Sequence, residues 1–495
     1  MKMNRWALLV LVVLMLFCHV NAQAKSGDVV IKANTLYWGQ YKAHKELIAV
    51  APPASALTSG FLPQELPFNG VTGVLIRFQR PGDPFFNQDG GIEAGRIESL
   101  RPLLSARMRF DMLPILVLFD PAADCRLASA DAYAYAVENV MRAVSSDYWF
   151  LPCVTDQADA PGWTAASPAM EPMALVQQAA SVIRATSQTQ LIAGGAASHA
   201  VNLELFRQGG VNVIMRRVET YSHDALDGLD AMPVIDVIAP EAMPEEQGVK
   251  GAVRAVYTKP CYGFVMDFCN KPDGLDLYDS TIALLGTTVA QDQIERTGAR
   301  PIDPADTASL EPGEKEEGFV SLFNGYDLAG WVPLTEPDDF VVKDGVVTLE
   351  KRTGGWLRSW ESYQDFSLRA EYNIADKGNS GIYLRSPLAG RQSRLGFEFQ
   401  IMGEPTDAPP TPSSTGSLYE INPPASNQIK PGEWNQVEIA CVGGEIRVRW
   451  NSVDVHNLNY DDHEALRGRP RRGYIGLQDH HNPVQFRKLR IKRIK

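Results

Sequence analysis

The feature that most constrains the fold of this 495-residue chain is a change of hydrophobic pattern close to residue 300. Before that point, short continuous apolar runs alternate with stretches of helical periodicity, and after it apolar and polar residues alternate one by one. Continuous apolar runs are typical of parallel strands buried on both faces, whereas strict alternation is typical of antiparallel strands with one polar face. One sheet cannot satisfy both patterns, so the chain is predicted to fold as two domains.

The first domain is predicted to span residues 28–295 and to be a (β/α)8-type barrel. Its apolar runs include GVLIRFQRP, LPILVLFDP and YGFVMDF, and the helical stretches between them include SADAYAYAVENVMRAV and EPMALVQQAASVIRAT. Seven or eight such units in about 260 residues fit a barrel better than a doubly wound sheet. No glycine-rich phosphate loop follows any of these strands, so a nucleotide-binding fold has little support.

The second domain is predicted to span residues 317–495 and to be an all-β sandwich. It follows a segment rich in proline, glycine and charge, residues 296–316, which has no apolar periodicity and is predicted to be a linker. Beyond the linker, short alternating strands are separated by the turn signals KDG, VGG and NS. This spacing indicates an antiparallel sandwich.

The first 22 residues predict an export signal. They begin with Lys2 and Arg5, continue with an apolar run from Ala7 to Phe17, and end at a small-residue cleavage site at Ala22. The run is too short for a comfortable membrane span, and no other stretch approaches ~20 apolar residues. We therefore expect a periplasmic or secreted protein without a membrane span.

Charge and cysteine content narrow the expected partners. The formal net charge of -12 argues against a nucleic-acid partner, although RGRPRRG and FRKLRIKRIK are locally basic. Those two stretches are interpreted as a solvated loop and a charged edge strand. Export would allow disulfides, and Cys261 and Cys269 could pair across a hairpin or stay reduced.

Several blocks of the second half resemble a known family. EGFVSLFNGYDLAGW, GNSGIYLRS, GFEFQI, STGSLYEINPP and RGYIGLQDHHNPVQFRKLRIK are similar, in that order, to the 3-keto-disaccharide hydrolase domain family. The resemblance covers residues 317–495 and implies a concanavalin-like (lectin-like, jelly-roll) β-sandwich of the kind found in many exported bacterial proteins. The first half only loosely resembles a glycoside-hydrolase-type barrel.

The resemblance implies cleavage of a glycosidic bond in a sugar already oxidised at carbon 3. A ketone there acidifies the hydrogen on carbon 2, so a base can remove it, and the resulting enolate can expel the glycosidic oxygen from carbon 1. Water then adds back. Such chemistry needs a base near carbon 2, hydrogen-bond donors or a cation at the enolate oxygen, and a proton for the leaving group.

Glu398 and His480 are the predicted catalytic residues. Alternation in LGFEFQI places Glu398 and Gln400 on the strand face opposite Phe397, which by pattern alone is typical of a solvated face. The family resemblance favours Glu398 as an acid–base residue. His480 belongs to the block GLQDH, and its side chain is suited to proton transfer near neutral pH.

Six further residues are predicted to bind substrate, each with a structural alternative. Arg385 could hold Glu398 ionised, bind substrate oxygens or form a structural salt bridge. Tyr419 could stack on a sugar or donate a hydrogen bond to it, and Trp356 could be an aromatic platform or a core residue. The predicted substrate-binding set is Asn379, Ser380, Arg385, Gln400, Tyr419 and Gln478, where Asn379 and Ser380 could instead serve only a turn.

No metal ligand set is diagnostic in the sequence. Glu398, Asp479 and His480 offer oxygen and nitrogen atoms that could hold a divalent metal such as calcium, so metal binding is left open. In the first half, acids at strand ends occupy the positions of barrel catalysis, but they could equally cap helices. These acids are Asp120, Asp156, Glu219, Glu241 and Asp267.

The leading hypothesis is an exported hydrolase whose sandwich cleaves 3-keto-glycosides. A separate sugar 3-dehydrogenase would have to make the substrate, because no nucleotide site is seen in the sequence. The alternative is a lectin-like carbohydrate-binding module joined to a glycoside-hydrolase-like barrel. A third interpretation makes both halves surface-assembly domains.

Overall fold

The structure is a computed structural model in which contacts divide the chain into two units, Met1–Thr288 and Val289–Lys495. The domain bounds at residues 295 and 317 stay predictions. The residues described are 30–32, 35–37, 46–53, 63–79, 84–110, 112–121, 127–144, 150–160, 163, 171–187, 191–218, 233–239, 245–259, 262–269, 275–404 and 408–494. The predicted export signal, residues 1–22, lies outside them, as does Cys261 of the predicted cysteine pair.

The first unit contains a closed barrel of eight parallel strands, which confirms the predicted barrel. In chain order its strands are β3 (Leu47–Ala51), β4 (Gly73–Arg77), β5 (Leu113–Val117), β6 (Leu151–Cys153), β7 (Ala193–Gly194), β8 (Val213–Val218), β9 (Val234–Ile238) and β10 (Tyr262–Asp267). A two-stranded hairpin of β1 (Val30–Lys32) and β2 (Thr35–Tyr37) precedes them. Pairing of β10 with β3 closes the barrel, whose core includes Leu75, Ile115, Val213 and Val265.

Helices follow the apolar runs, as the sequence periodicity predicts. In Ala130–Val144, Ala136, Val137 and Val140 are buried on one face, which is why this stretch forms an amphipathic helix. The described helices of this unit are Pro63–Asn69, Arg96–Phe110, Ala130–Val144, Pro172–Thr186, His199–Glu204, Leu205–Gly209, Glu245–Thr258 and Leu275–Thr297, the last of which crosses into the second unit. Among the described helices, none is long and apolar enough to cross a membrane.

The second unit consists of two antiparallel sheets, which confirms the predicted sandwich. The eight-stranded sheet contains β11 (Val320–Ser321), β13 (Phe340–Lys343), β14 (Val346–Leu349), β16 (Phe366–Ile374), β19 (Trp434–Val442), β20 (Glu445–Trp450), β21 (Val453–Asn459) and β23 (Val484–Arg493). The five-stranded sheet has the order β12 (Trp331–Leu334), β15 (Gly355–Tyr363), β22 (Gly473–Asp479), β17 (Asn379–Ser386) and β18 (Phe397–Met402). Short helices Gln392–Leu395 and Tyr460–Asp462 join strands. The core between the sheets includes Tyr372, Phe397, Phe399 and Trp450.

The basic stretch FRKLRIKRIK was predicted to be a charged edge strand, and this prediction was wrong. It forms most of β23, which lies between β14 and β16 in the interior of the eight-stranded sheet. Phe486 and Ile491 are buried in the core. The charges are matched by acids, because Arg487 Nε lies 2.7 Å from Glu371 and Arg490 Nε lies 2.7 Å from Glu314.

The segment predicted to be a linker has contacts with the sandwich. Glu314 is buried and also accepts a 2.9 Å hydrogen bond from Arg369 Nη1 on β16. The Ser309 hydroxyl donates to the Phe323 carbonyl at 2.6 Å. These contacts attach residues 309–314 to the second unit.

Candidate active site

The face of the five-stranded sheet opposite the core carries the candidate site. Ile382, Leu384, Phe397 and Phe399 point into the core, so the residues that alternate with them point the other way. Strand register places Glu398 beside Tyr383, and Tyr383 beside Gly476. The next row pairs Trp356 with Gln478 and Gly381 with Gln400. We call the following residues the site face: Trp356, Asn379, Gly381, Tyr383, Glu398, Gln400, Gly476 and Gln478.

Two glycines make room for the larger side chains of the site face. A Cβ atom on Gly381 would lie 2.1 Å from Glu398 Oε1, so the carboxyl group occupies the space above this glycine. A Cβ atom on Gly476 would lie 2.2 Å from the Trp356 ring. Both side chains therefore lean across a neighbouring strand and rest on its backbone, which only glycine allows.

Glu398 is buried and holds an oxygen atom without a partner. The residue is 2% exposed, and its Oε1 has no hydrogen-bond partner among the described residues. Burial raises the pKa of Glu398 from 4.5 to about 8, an effect that Arg391 partly offsets and Glu420 reinforces. A carboxyl group with such a pKa can both take and give a proton near neutral pH, which suits it to acid–base chemistry.

Tyr383 lies next to Glu398 and is held by two neighbours. Gln478 Nε2 donates a 2.6 Å hydrogen bond to its hydroxyl oxygen, and the Trp356 ring packs edge-on at 5.9 Å between ring centroids. Burial, followed by the charge of Glu398, raises the pKa of Tyr383 well above its ordinary value. The phenol is therefore neutral over the whole physiological pH range.

Amide groups and a second tyrosine complete the surroundings of Glu398. Gln400 Nε2 donates a 3.2 Å hydrogen bond to Asn379 Oδ1, which joins two predicted substrate-binding residues. The backbone N–H of Tyr419 donates to the Glu398 carbonyl at 2.9 Å. Burial, together with the charge of Glu420, raises the pKa of Tyr419. The sequence-predicted residues Asn379, Gln400, Tyr419 and Gln478 thus lie around Glu398.

Arg385 and Ser380 have structural partners instead of positions on the site face. The Arg385 guanidinium is fully buried, donates to the carbonyls of Gln364 (2.7 and 3.0 Å) and Gly443 (3.1 Å), and lies 3.4 Å from Asp365. Its φ of 49° and a register shift after Tyr383 show a bulge, which turns Arg385 away from the face that simple alternation predicts. Ser380 is buried, and its hydroxyl donates to the Gln478 carbonyl at 2.8 Å.

His480 lies just beyond the end of β22, exposed, with its ring against that of His481. Among the described residues, no hydrogen bond joins it to Glu398. The preceding Asp479 accepts backbone hydrogen bonds from Gly354 and His481 at 2.8 Å each, so its carboxylate orders a turn. The suggested metal ligands Glu398, Asp479 and His480 do not form a group that could hold a metal, and neither does any other acid, histidine or cysteine cluster in the described part of the chain.

The acids at the strand ends of the barrel surround an arginine. Arg77 Nη2 lies 2.7 Å from Asp156 and 2.7 Å from Asp267, and its Nη1 lies 3.5 Å from Asp120. Arg217 adds contacts of 3.3 and 3.5 Å to Asp156 and Asp267. Although burial opposes it, Arg77 lowers the pKa of Asp267. These carboxylates therefore balance the charges of buried Arg77 and half-buried Arg217. The other two predicted acids, Glu219 and Glu241, lie outside the described residues.

The sequence interpretation missed Tyr383 and Gly381 as site residues. Alternation in GNSGIYLRSP already places Tyr383 on the polar strand face, but a lone strand tyrosine carries no signal of its partner Gln478, which is 95 residues away. In the sequence, Gly381 belongs to a segment that favours a tight turn or a bulge at the start of a strand. Its position beside Gln400 depends on strand pairing, which the sequence does not reveal.

The family comparison supports the interpretation of the second half. Residues 318–492 match the family model of the 3-keto-alpha-glucoside-1,2-lyase-like domain, which confirms the predicted resemblance. A curated relative from Bacteroides thetaiotaomicron, the 3-keto-disaccharide hydrolase, is 22% identical in an alignment 247 residues long, and the match covers 39% of this chain and 84% of the relative.

Solved structures of other proteins are similar to parts of this chain. A proposed glycosyl hydrolase from Parabacteroides distasonis is 23% identical, covers 38% of this chain and 98% of its own, and gives a TM-score of 0.34. A beta-1,4-D-mannanase from Cryptopygus antarcticus is 13% identical, covers 53% of this chain and 94% of its own, and gives a TM-score of 0.36. Both scores are low, and neither likeness bears on activity.

Proposed function

We propose that this chain, whose residues 318–492 form a 3-keto-alpha-glucoside-1,2-lyase-like domain, is a glycosidic-bond hydrolase that acts on 3-keto-glycosides at the site face. The observation that carries the proposal is the buried carboxyl group of Glu398, with an unpartnered oxygen and a pKa of about 8, among amide and phenol groups. The names of the family and of the bacterial relative supply the substrate class.

In the proposed reaction Glu398 is the base. Its carboxylate takes the hydrogen from carbon 2 of the keto-sugar, and the electron pair of that C–H bond forms the enolate at carbons 2 and 3. The enolate then returns its electrons to form a double bond between carbons 1 and 2, which breaks the bond from carbon 1 to the glycosidic oxygen. The departing oxygen takes a proton, and water adds across the double bond to complete a net hydrolysis.

Other residues of the site take binding and proton-transfer roles in this proposal. Asn379, Gln400, Gln478 and Tyr419 present donors and acceptors that can hold sugar hydroxyls around the reacting carbons. His480 is the proposed proton donor for the leaving group from the edge of the site face. Arg385 and Ser380 receive no substrate role, because their polar groups bind the protein itself.

The test is turnover of a 3-keto-disaccharide by the purified full-length chain. We expect the wild type to release both sugars and to leave the matching disaccharide with a hydroxyl at carbon 3 intact. Glu398→Gln keeps the shape but not the base, so kcat should fall by about 10²–10⁴-fold. Glu433→Gln changes an exposed acid in the turn before β19 of the other sheet; it is the matched control and should keep wild-type turnover. Wild-type turnover in Glu398→Gln would exclude the proposed role.

We also propose export through the segment 1–22 and supply of the substrate by a separate sugar 3-dehydrogenase. The proposed supply by a dehydrogenase rests on chemistry, because a ketone at carbon 3 must be made by oxidation of the ordinary sugar before elimination can begin. Cell fractionation with an antibody against the chain, comparing the full sequence with one that lacks residues 1–22, tests export. A chain that stays inside the cell in both forms would contradict it.

A further inference from the structure

We propose that the hydroxyl group of Tyr383 donates a hydrogen bond to the enolate oxygen on carbon 3, with Gln478 fixing its direction. This inference rests on the proposed function and extends it to a residue that lies beside the base. It assigns the stabilisation of negative charge to a neutral phenol of the sheet itself.

The position of Tyr383 relative to Glu398 carries the inference. The two residues are direct neighbours across β17 and β18, so their side chains leave the same face of the sheet side by side. In the substrate, carbon 2, where the base acts, is bonded to carbon 3, which carries the oxygen. A base and a donor on adjacent strands can therefore serve the adjacent C–H and carbonyl groups of one sugar.

Gln478 directs the phenol hydrogen. Its Nε2 donates to the Tyr383 oxygen at 2.6 Å, so this contact uses an acceptor site of the phenol and leaves the O–H hydrogen for another partner. The Trp356 ring blocks one side of the Tyr383 ring. The Gln478 amide oxygen has no hydrogen-bond partner among the described residues, although the residue is only 9% exposed. A buried acceptor without a partner costs free energy unless a ligand hydroxyl supplies one.

A neutral hydrogen-bond donor is suited to stabilising an enolate in this buried site. Both Tyr383 and Glu398 are buried, and a fixed dipole in a buried site stabilises developing charge more strongly than water does. The raised pKa of Tyr383 keeps its hydrogen in place throughout the reaction. The phenol therefore remains a hydrogen-bond donor and does not become a second base beside Glu398.

Hydrogen exchange at carbon 2 isolates this step from bond cleavage. The probe is a 1,5-anhydro-3-keto sugar, which has hydrogen in place of the leaving group on carbon 1 and can form the enolate without being cleaved. The full-length wild type should catalyse the exchange of the probe's carbon-2 hydrogen for deuterium in D2O, as followed by NMR. Tyr383→Phe should slow exchange and cleavage of the 3-keto-disaccharide by the same factor, about 10²–10³-fold.

Two further variants separate catalysis from folding. Tyr372→Phe removes a phenol oxygen from the core on the eight-stranded sheet and should leave exchange and cleavage unchanged. Gln478→Met removes the group that directs the Tyr383 hydroxyl and should slow exchange by a smaller factor than Tyr383→Phe. Thermal unfolding of each variant shows whether the chain is folded at the assay temperature.

The outcomes distinguish this inference from the proposed function. Slow cleavage with wild-type exchange in Tyr383→Phe would assign Tyr383 to the leaving group and overturn the inference. Wild-type rates for both reactions would make Tyr383 purely structural and also overturn it. A wild-type chain that neither exchanges nor cleaves would overturn the proposed function, and the inference with it. Parallel loss of exchange and cleavage, with Tyr372→Phe unaffected, supports the inference.

Discussion

At the scale of single residues, the protonation of Glu398 links activity to pH. In the folded chain its pKa is about 8, so the base form gains population as the pH rises toward that value. We expect kcat/KM for a 3-keto-disaccharide to rise from pH 6 and to level off above pH 8. A pH profile between 5.5 and 9.5 measures this. A rate that instead falls through pH 8 would make protonated Glu398 the acid of the reaction.

The same shift predicts a loss of stability with increasing pH. Below its ordinary pKa of 4.5, Glu398 is protonated in the folded and the unfolded chain, so its ionisation does not change the free energy of unfolding there. Between 4.5 and about 8 only the unfolded chain loses the proton readily, and the folded state becomes less favourable by up to about 4 kcal/mol. Glu398→Gln should therefore raise the free energy of unfolding at pH 8 but not at pH 4.5. Equal effects at both pH values, measured by urea unfolding, would contradict this.

Gly381 provides a test of the space beneath the Glu398 carboxyl group. The Cβ of Gly381→Ala would meet Glu398 Oε1 at 2.1 Å, and the flexible carboxyl group can yield by moving. We expect a folded variant with a large loss of turnover, about 10²-fold, because a misplaced reacting group costs that much. Gly345→Ala tests another glycine of the sandwich, at a turn with φ 76°, and should affect stability but not turnover. Unchanged turnover in Gly381→Ala would show that the carboxyl position is not critical.

The sequence predicted the direction of site side chains better than their surroundings. Alternation correctly placed Glu398 and Gln400 on the face opposite the core, because period-two geometry is local. The hollow above Gly381 and the contact between Gln478 and Tyr383 depend on which strands pair, and Gln478 and Tyr383 are 95 positions apart. Local pattern carries no such information.

At the scale of elements, the bulge in β17 explains why the prediction for Arg385 differs from its position. Alternation holds along Ile382, Tyr383 and Leu384 and then breaks at Arg385, whose positive φ turns its side chain toward the carbonyls of Gln364 and Gly443. The sequence gives little warning, because arginine is not a residue that favours positive φ. Arg385 therefore fixes the end of β17 instead of binding substrate.

Replacing Arg385 should separate stability from turnover. Arg385→Met leaves the carbonyl groups and Asp365 without their buried donor, and we expect a loss of about 3 kcal/mol in the free energy of unfolding. At temperatures where the variant is folded, KM and kcat should stay close to the wild-type values. A higher KM without loss of stability would return Arg385 to the substrate site.

At the scale of the whole molecule, the chain contains two candidate catalytic centres, the site face around Glu398 and the barrel carboxylates around Arg77. The barrel carboxylates balance Arg77, and Asp156→Asn removes one of its closest partners. We expect this change to lower stability by about 3–5 kcal/mol, as loss of one partner of a buried ion pair does, while keto-glycoside cleavage by the folded chain continues. Loss of turnover in folded Asp156→Asn, together with full activity in Glu398→Gln, would place catalysis in the barrel and favour the alternative of a sugar-binding sandwich.

The interior position of β23 has a consequence for the order in which the two units can be built during synthesis. The barrel strands end at Asp267, so the ribosome has delivered all of them before the sandwich begins. In the sandwich, β14 and β16 are separated by β23, the last described strand of the chain, and they can be joined only after Arg493 has emerged. Amino-terminal domains commonly fold first on the ribosome. The barrel can do so, whereas the sheet that supports Glu398 from the other side of the core must wait until β23 has been synthesised.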